Sequence, residues 1–568
     1  MATYLVLAVA ANWNAWSMGA ARTLEPSQDP KLNAWGLSWN PYALAHGLNP
    51  FFSHLVNVPF GVNDAANVSL PFLSMLASPI TAWWGPVASD NVLISLSFFA
   101  TAASAYFFVR HWTRWQPAAF VGGLLFGFSP YMVGQNYSHL NLSFIAFVPV
   151  IFVLLDEIIV RQTRPPLLLG CALGVVVICQ YFVSSEVLAS TAIVTAIGLV
   201  LVAALNHRQV AAHLVKSAIG LGAGLVLVTV VLAYPVWFSV DGPQHYSLAI
   251  APGAYQADLW GAVLPTSNQV LAPASWTAIS DQFVGNLAEN GSYLGLPLIL
   301  ALAATLALLR RSKVVVVACL ITLAAYVLSL GSPLEVKNHH TTLTLPWAVL
   351  HHLPLLKAAI PARVAMMTTL FAALVLGVAL DRLRHWERWP TVWSGVAGAL
   401  VLSGVVLLPL LPSLPYTVVT VDTPTFFTTS AVLAVPSGSL AVVYPITTPY
   451  DTDAMLWQAS AHMRFAMPGG NANVPTPGTG VAQPEAQSLT VVTLTELQTA
   501  YPLAQTPALR HSLRAQWRAW GVRSVIVGPG GLQPSAALGF FTWLLGAPPR
   551  AVAGVHVWYG VQRLVSAG

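Results

Sequence analysis

Residues 142–183 read LSFIAFVPVIFVLLDEIIVRQTRPPLLLGCALGVVVICQYFV, and they hold two long apolar runs on either side of a short basic turn. Each run, 142–160 and 166–183, is long enough as a helix to cross about 30 Å of hydrocarbon. The turn between them carries Arg161 and Arg164. Because cytoplasmic loops are enriched in Lys and Arg, the pattern predicts a hairpin of two transmembrane helices with its turn in the cytoplasm.

The same pattern repeats over most of the 568 residues. The composition is 56% hydrophobic and only 8% charged, with a mean hydropathy of +0.68, which excludes an ordinary soluble domain. The net charge of +5 is the difference between 24 basic and 19 acidic residues. The basic residues are scattered and form no arm or stripe, so no nucleic-acid partner is predicted. The eleven candidate spans are residues 3–21, 91–109, 117–134, 142–160, 166–183, 187–205, 216–239, 292–309, 314–330, 362–380 and 391–411.

The basic residues sort to one side of this arrangement. Up to residue 411, twelve fall in loops on one side and five on the other. The bias predicts a multi-pass protein of the plasma membrane with a cytoplasmic N-terminus, and eleven spans then place the C-terminus outside. Long loops at 22–90, 240–291 and 331–361 face outward, and the apolar residues 70–86 are expected to form a helix in the outer membrane interface.

The composition changes after residue 411, where PSLP (412–415) begins a less apolar region. The runs LAVVYP (440–445), VRSVIVG (522–528) and VAGVHVWYG (552–560) are typical of strands, and PALRHSLRAQWRAW (507–520) has helical spacing. The sequence therefore predicts an all-α polytopic transmembrane bundle over residues 1–411. A small extracytoplasmic α/β domain is predicted over residues 412–568.

The first outer loop concentrates residues that could carry chemistry. In SQDPKLNAWGLSW (27–39), Asp29 and Lys31 shortly precede Trp35. Glycosyl transfer needs a carboxylate that accepts the acceptor hydroxyl's proton, cations beside a phosphate leaving group, and aromatic surfaces for sugar rings. The loop offers all three kinds of side chain.

Each of these residues also has a plainer interpretation. An Asp-Pro pair suits the first turn of a helix, because Asp caps the amino end and Pro is tolerated at the first position. Trp and Tyr near a membrane boundary commonly anchor a protein at the interface. Spacing alone therefore leaves Asp29 and Trp35 open between chemistry and structure.

Three further polar residues lie at the outer ends of spans. Glu186 lies in the turn between two tightly linked spans, and a carboxylate at membrane depth is costly and often functional; a turn cap is the alternative. Arg363, in IPAR (360–363), could hold a carrier phosphate with its guanidinium fork, or could snorkel to lipid headgroups. His139, in NYSHLNL (136–142), could bind a phosphate or a sugar hydroxyl, or simply be polar lining.

The pattern as a whole resembles GT-C glycosyltransferases. It combines a loop acid after the first span, a large outer loop, about eleven spans with the long loops outside, and a C-terminal outer domain. Several segments also resemble bacterial, actinobacterial-type membrane glycosyltransferases, and the likeness covers residues 1–411. They include DPKLNAWGLSWNPYALAHGLNPF (29–51), FSPYMVGQNYSHLNL (128–142), NLAENGSYLGLPL (286–298) and LPLLKAAIPARVAM (353–366).

The resemblance implies a donor sugar linked to polyprenyl phosphate, an acceptor glycan, lipid or protein outside the cytoplasm, and Asp29 as the base. Many GT-C members carry paired acids in this loop, whereas Asp29 has no acidic neighbour. Glu25, Asp64 or Glu289 could supply a second carboxylate, or one acid suffices. The candidates for binding the donor are Lys31, Trp35, His139, Glu186, Glu289 and Arg363. We expect an outer cavity where the first loop meets the loops 240–291 and 331–361.

Other functions have less support from the sequence. It contains no Walker loop, no dinucleotide-binding glycine motif and no serine-hydrolase elbow. The alternatives are a transporter or flippase for a lipid-linked glycan, and a non-catalytic scaffold whose outer domain binds glycan. Transporters place charged residues near the bilayer midplane, whereas the spans here are apolar. No metal-ligand spacing is found, and a divalent metal ion is left open as a cofactor.

Overall fold

A computed structural model describes residues 1–17, 22–23, 29–353, 356–387, 389–484, 487–499, 503–531 and 533–566. Its contacts divide the chain into two compact units. The first unit comprises Met1–Asn14, Leu93–Leu232 and Ala249–Tyr416, and the second comprises Ala15–Val92, Ala233–Leu248 and Thr417–Gly568. Each unit therefore draws on three separated stretches of sequence.

Among the described residues, seven helices are long and apolar enough to cross a membrane. An eighth span results if the bent pair Gln116–Gly127 and Pro130–Asn136 is counted as one. The predicted multi-pass helical protein is confirmed, but the predicted number of eleven spans is not. The seven are Pro86–Trp112, Leu140–Arg161, Pro166–Val183, Ser185–Leu205, His207–Asp241, Pro361–Leu383 and Val392–Leu410.

The remaining three predicted spans are helical but short within the described part of the chain. Ala2–Ala11 has 10 residues, Leu296–Leu308 has 13 and Lys313–Ser329 has 17. A span needs about 20 residues, because each adds only 1.5 Å. The first helix ends at Asn12, whose Nδ2 donates to the carbonyl oxygen of Ala8 at 3.2 Å. A hydropathy profile does not reveal that the helix ends at such a residue.

The bent pair Gln116–Gly127 and Pro130–Asn136 turns by 45° at its break. Pro130 cannot donate a backbone hydrogen bond, so the first helix cannot continue through it. Ser129 restarts the helix, because its Oγ accepts a hydrogen bond from the backbone nitrogen of Met132 at 3.3 Å. The sequence between the two halves thus explains the bend.

The helix Ala365–Leu383, preceded by the 3-10 turn Pro361–Val364, is the central element of the first unit. Its most apolar window is 83% buried, against 22–56% for the six other long helices described. It packs against Lys313–Ser329 and Gln116–Gly127. A helix that is apolar all round belongs in such a position.

Helices Pro166–Val183 and His207–Asp241 touch at the level of their backbones. A Cβ atom built on Gly170 would clash with the carbonyl oxygen of Gly220, and one built on Gly224 would lie 2.8 Å from the carbonyl oxygen of Gly170. Glycines spaced four apart on each helix permit this approach. These glycines therefore act as packing residues between the two helices.

Shorter elements complete the first unit. Leu140–Arg161 is made of Leu140–Ser143, Phe147–Asp156 and the π-helical turn Glu157–Arg161. Trp13–Ser17 runs across the boundary of the two units. The others are helices Ala274–Ser280 and Trp347–Leu350, the 3-10 turns Leu259–Ala262 and Leu408–Leu410, and a hairpin of Glu335–Val336 with His339–His340.

The second unit contains a four-stranded sheet, whose order is Arg550–Val552, Val555–Tyr559, Ser524–Val527 and Ala441–Tyr444. The last two strands are parallel and the other neighbours antiparallel. Every residue of both parallel strands is buried, as expected where both faces of a sheet are covered. The three predicted strands are confirmed, and so is the predicted helix at Pro507–Trp520.

The other elements of the second unit come before, between and after the strands of this sheet along the chain. The helix predicted at residues 70–86 is present as Pro71–Trp84, and it ends at Gly85. Its place at the membrane interface stays a prediction. The remaining helices are Asp29–Ala45, Thr425–Thr428, Asp453–Ser460, Leu489–Gln498, Pro534–Leu545 and Val561–Ser566, with the 3-10 turn Ser430–Ala434; the small strand pairs are Arg22–Thr23 with Val419–Thr420, Phe52–Ser53 with Val62–Asn63, and Val474–Pro475 with Ala482–Gln483.

The core of the second unit joins the first outer loop to residues near the C-terminus. Trp39 on helix Asp29–Ala45 lies in one buried cluster with Phe427 and Trp457. Burying such aromatic side chains is among the largest single contributions to a core. The described part of loop 22–90 is therefore folded into a packed body.

Candidate functional site

Asp29 is the first residue of the helix Asp29–Ala45 in the second unit, and its side chain is half-buried. Pro30 follows at a position where a missing backbone donor costs nothing. A carboxylate is favourable at this end, because the helix dipole is positive there. The position agrees with both interpretations of the Asp-Pro pair, as a helix start and as a chemical group.

Lys31 is committed to an ion pair within the second unit. Its Nζ lies 2.5 Å from Oδ1 of Asp453, and both side chains are largely buried. Asp451, close by, has its pKa raised to about 6, by burial first and then by the charge of Asp453, although Lys31 opposes the shift. The cation predicted beside a leaving phosphate is thus already neutralised by a carboxylate.

Trp35 is only 3% exposed and belongs to the core of the second unit. Its indole Nε1 donates to Oε1 of Gln458 at 2.6 Å, and its ring stacks on Trp39 with 5.9 Å between centroids. A sugar needs an open aromatic face, which this ring does not offer. The structure gives Trp35 a packing role.

The first unit brings together Glu186, Glu289 and Arg363. Arg363 Nε donates to both carboxylate oxygens of Glu289, at 3.0 and 3.2 Å, and its Nη2 donates to Oε1 at 2.5 Å. Its Nη1 donates to Oε2 of Glu186. One guanidinium therefore holds two carboxylates from distant parts of the chain.

Local structure positions each member of this cluster. Glu186 lies in the first turn of Ser185–Leu205, where Ser184 caps the helix. The backbone nitrogen of Ile360 donates to Oε1 of Glu186 at 3.0 Å, directly before the turn that carries Arg363. The backbone nitrogen of Glu289 donates to Oδ1 of Asn286 at 3.1 Å. The side chains are thus fixed through their own turns.

His139 joins the cluster through a residue that the sequence did not single out. Gln135 Nε2 donates to Oε2 of Glu289 at 3.0 Å, and Gln135 Oε1 lies 2.7 Å from Nδ1 of His139. Gln135 and His139 are four residues apart, which places them on one side of a helical turn. That spacing is the signal by which Gln135 could have been found.

The cluster carries a net negative charge. Two carboxylates and one guanidinium sum to −1, from −2 and +1. Burial alone would raise the pKa of Glu289, but the Arg363 charge and hydrogen bonds, followed by His139 and Gln135, lower it below its usual value. An ionised Glu289 therefore occupies donors that a phosphate would need.

Asp64, a candidate second carboxylate, is buried in the second unit at 3% exposure. Burial raises its pKa well above the usual value. Within the described part of the chain, no hydrogen bond reaches its Oδ2. A carboxyl in this environment holds its proton to higher pH than an exposed one does.

The predicted site residues thus fall into two groups. Asp29, Lys31 and Trp35 lie in the second unit, and His139, Glu186, Glu289 and Arg363 in the first. Whether the groups share one cavity stays a prediction. Glu25 lies outside the described residues. Among those described, no three His, Cys, Asp or Glu side chains are grouped as metal ligands, and metal dependence stays open.

No protein-family model and no curated protein sequence matches the chain. Solved structures do. Arabinofuranosyltransferase AftD from mycobacteria superposes with a TM-score of 0.55 at 12% identity, over 98% of this chain and 39% of that enzyme. A variant of the same enzyme gives 0.52 at 14% identity, over 98% and 41%.

An oligosaccharyltransferase from Archaeoglobus fulgidus gives a TM-score of 0.48 at 13% identity, over 99% of this chain and 72% of the other. The chain spans about two fifths of the length of the arabinofuranosyltransferase that it matches. At these identities the likeness concerns the fold. The chain therefore shares the fold of this arabinofuranosyltransferase, which agrees with the resemblance of its sequence to GT-C glycosyltransferases.

Proposed function

We propose that this protein is a membrane glycosyltransferase that transfers a hexosyl or pentosyl group from a polyprenyl-phosphate donor to an acceptor outside the cytoplasm. The observation that carries the proposal is the structural likeness to an arabinofuranosyltransferase over 98% of the chain. The apolar helices agree with a donor that is itself a membrane lipid. The acceptor is a glycan, a lipid or a protein.

Asp29 is the base in this proposal. The acceptor oxygen attacks the anomeric carbon, the bond from that carbon to the phosphate oxygen breaks, and the polyprenyl phosphate leaves with the bonding pair. The acceptor's proton passes to the Asp29 carboxylate as the new bond forms. General base assistance of this kind contributes about 10²–10⁴-fold.

The ion pairs support a positioning role for most of the other candidates. Arg363, Glu186 and Glu289 tie together three turns of the first unit, and Lys31 holds the start of the Asp29–Ala45 helix against Asp453. Direct contact of Lys31, His139, Glu186, Glu289 or Arg363 with the donor stays a prediction.

The test uses purified full-length protein in detergent, with a panel of polyprenyl-phosphoryl pentoses and hexoses and no ATP or ion gradient. We expect release of polyprenyl phosphate from one donor. Asp29→Asn keeps the side-chain shape and loses the basicity, so turnover should fall by at least about a hundredfold. Insertion and thermal stability should stay near wild type.

Asp64→Asn is the matched control, because it changes another acid of the same unit and should cost much less activity. If Asp29→Asn retains full turnover while Asp64→Asn abolishes it, the base is Asp64. If no donor is consumed but a lipid-linked glycan crosses vesicles, the transporter alternative replaces the enzyme. Binding without turnover in every variant would leave the scaffold alternative.

A further inference from the structure

Two adjoining cavities open on the second unit. Their volumes are about 730 Å³ and about 520 Å³. Tyr42, Thr428, Ser460 and His462 line both cavities, so the two are neighbours, and together they are called the groove here. The combined space is larger than a site for one small molecule, which is typically about 300–1,000 Å³.

The groove is lined by apolar and uncharged polar side chains, with one arginine in the smaller cavity. Among the described residues that line the larger cavity there is no Asp, Glu, Lys or Arg. In the smaller cavity Arg464 donates to the carbonyl oxygens of Val435 and Leu433. Hydroxyl groups are supplied by Ser38, Ser78, Thr81, Thr423, Thr428 and Ser460. Those of Ser38, Ser78, Thr81 and Thr428 donate to backbone carbonyls, so towards a ligand they act as acceptors.

Aromatic rings stand along the same groove. Trp83 is 77% exposed and Trp84 67%. Tyr42 stacks on His46 with 4.0 Å between ring centroids. Open ring faces beside neutral hydroxyls suit a ligand with apolar C–H faces and many hydroxyls. That description fits an uncharged sugar chain and does not fit a phosphate or an acidic polymer.

The groove begins on the helix that carries the proposed base. Ser38 and Tyr42 follow Asp29 by nine and thirteen residues on the helix Asp29–Ala45. At 1.5 Å per residue they lie about 14 and 20 Å from Asp29 along the helix axis. A glycan whose reacting end lies at Asp29 has to extend over about 14 Å to reach the groove, which requires several sugar units.

We infer that this groove binds the acceptor, and that the acceptor is an uncharged glycan of several sugar units. That the ligand is the acceptor rests on the proposed function, whereas that the ligand is a glycan rests on the groove alone. The inference therefore selects the glycan among the three proposed acceptor classes, which are glycan, lipid and protein. It also predicts that affinity rises with chain length until the groove is filled.

The test measures binding by full-length protein in nanodiscs with isothermal titration calorimetry. The probes are short and long arabino-oligosaccharides and maltodextrins, with oligogalacturonides of matched length as charged probes. We expect longer neutral chains to bind more tightly than short ones and the charged chains to bind least. The double variant Tyr42→Ala with Trp84→Ala should weaken neutral binding by about tenfold or more, as loss of aromatic anchors does.

Trp393→Ala is the matched control, because Trp393 is 81% exposed on the first-unit helix Val392–Leu407 and should leave binding unchanged. Tyr42→Phe should keep most affinity, which guards against misfolding of the double variant. Unchanged binding in the double variant, or equal binding of charged chains, would overturn the inference.

Two further measurements separate this inference from the proposed function. Asp29→Asn should bind the neutral chains like wild type; glycan binding without transfer from any donor would reject the enzyme and keep the groove. A second outcome concerns the membrane. If the double variant loses only its partition into phosphatidylethanolamine and phosphatidylglycerol vesicles, and not glycan binding, then the rings are anchors and the inference is wrong.

Discussion

Arg363 has its charge matched by two carboxylates before any substrate arrives. Removing one partner of a buried ion pair leaves the other charged and unsatisfied, which costs about 3–5 kcal/mol. Arg363→Gln should lower the free energy of unfolding by that order, because Glu289 is 4% exposed. Thermal unfolding in detergent measures the loss. Glu186→Gln is the graded control and should cost less, since the Glu186 side chain is 22% exposed.

Asp451 should make stability depend on pH in the direction opposite to most carboxylates. Its pKa is raised from 3.8 to about 6, so the folded state holds this proton more tightly than the unfolded chain does. The contribution of Asp451 to the free energy of unfolding is therefore complete below pH 3.8, and it is lost as the pH rises through about 6. Asp451→Asn should stabilise the protein at about pH 8 by on the order of 1–3 kcal/mol, with little gain at about pH 4. Equal gains at both pH values, measured by thermal unfolding, would contradict the assignment.

The residues of the Arg363 cluster show what sequence can and cannot predict at this scale. Glu186, His139 and Arg363 stood out because polar groups at span ends are costly, and Glu289 stood out through the family resemblance. The ion pairs of Arg363 with Glu289 and Glu186 were not predictable, because Arg363 lies 74 residues from the first and 177 from the second along the chain. Trp35 was expected at a sugar site and lies in the core, since an aromatic after a span gives no sign of which way it faces.

Among the elements, the contact of helices Pro166–Val183 and His207–Asp241 gives a sharp prediction. Gly170→Ala would drive a methyl group into the Gly220 carbonyl and force the helices apart, so the melting temperature should fall. Gly222→Ala lies on the second helix with nothing within 4 Å of its Cβ position. Gly222→Ala should leave stability unchanged or raise it by up to about 1 kcal/mol, because Ala has a higher helix propensity than Gly. Similar losses in both variants would show that the contact does not matter.

Element positions were predictable, and element lengths were not. All eleven apolar segments contain helices in the described chain, because apolar runs of this length have few other stable forms in lipid. The ends of the helices depend on single residues, such as Asn12 and Pro130. A hydropathy value averaged over many residues does not detect them. The strands at 441–444 and 524–527 were found from their short apolar runs, whereas their parallel pairing needed the structure.

At the scale of the whole molecule, the number of spans decides which side of the membrane each end occupies. With a cytoplasmic N-terminus, the predicted eleven spans place both the first long loop and the C-terminus outside. The distribution of basic residues favours this topology. Reporter fusions at Arg164, Gly285 and Gly438 should therefore report inside, outside and outside. An inside signal at Gly438 would contradict this topology and the predicted placement of the site outside.

The grouping of the chain into two units was beyond what the sequence could predict. Composition marks a change near residue 412, but it gives no sign that residues 15–92 and 233–248 belong with residues 417–568. Packing between distant segments decides this, as in the cluster of Trp39 with Phe427 and Trp457. The spacing of residues in a sequence shows only which residues are near each other along the chain, and not which distant segments pack together.

The contact of Gly170 with Gly220 also limits how a lipid can approach. Two helices whose backbones meet leave no opening between them, so this seam is closed to a hydrocarbon tail along the length where the glycines touch. A polyprenyl chain that serves the reaction must reach the protein through a different side of the bundle. A photoreactive polyprenyl phosphate should therefore label residues away from Gly170 and Gly220, and the route of the donor can be traced by elimination.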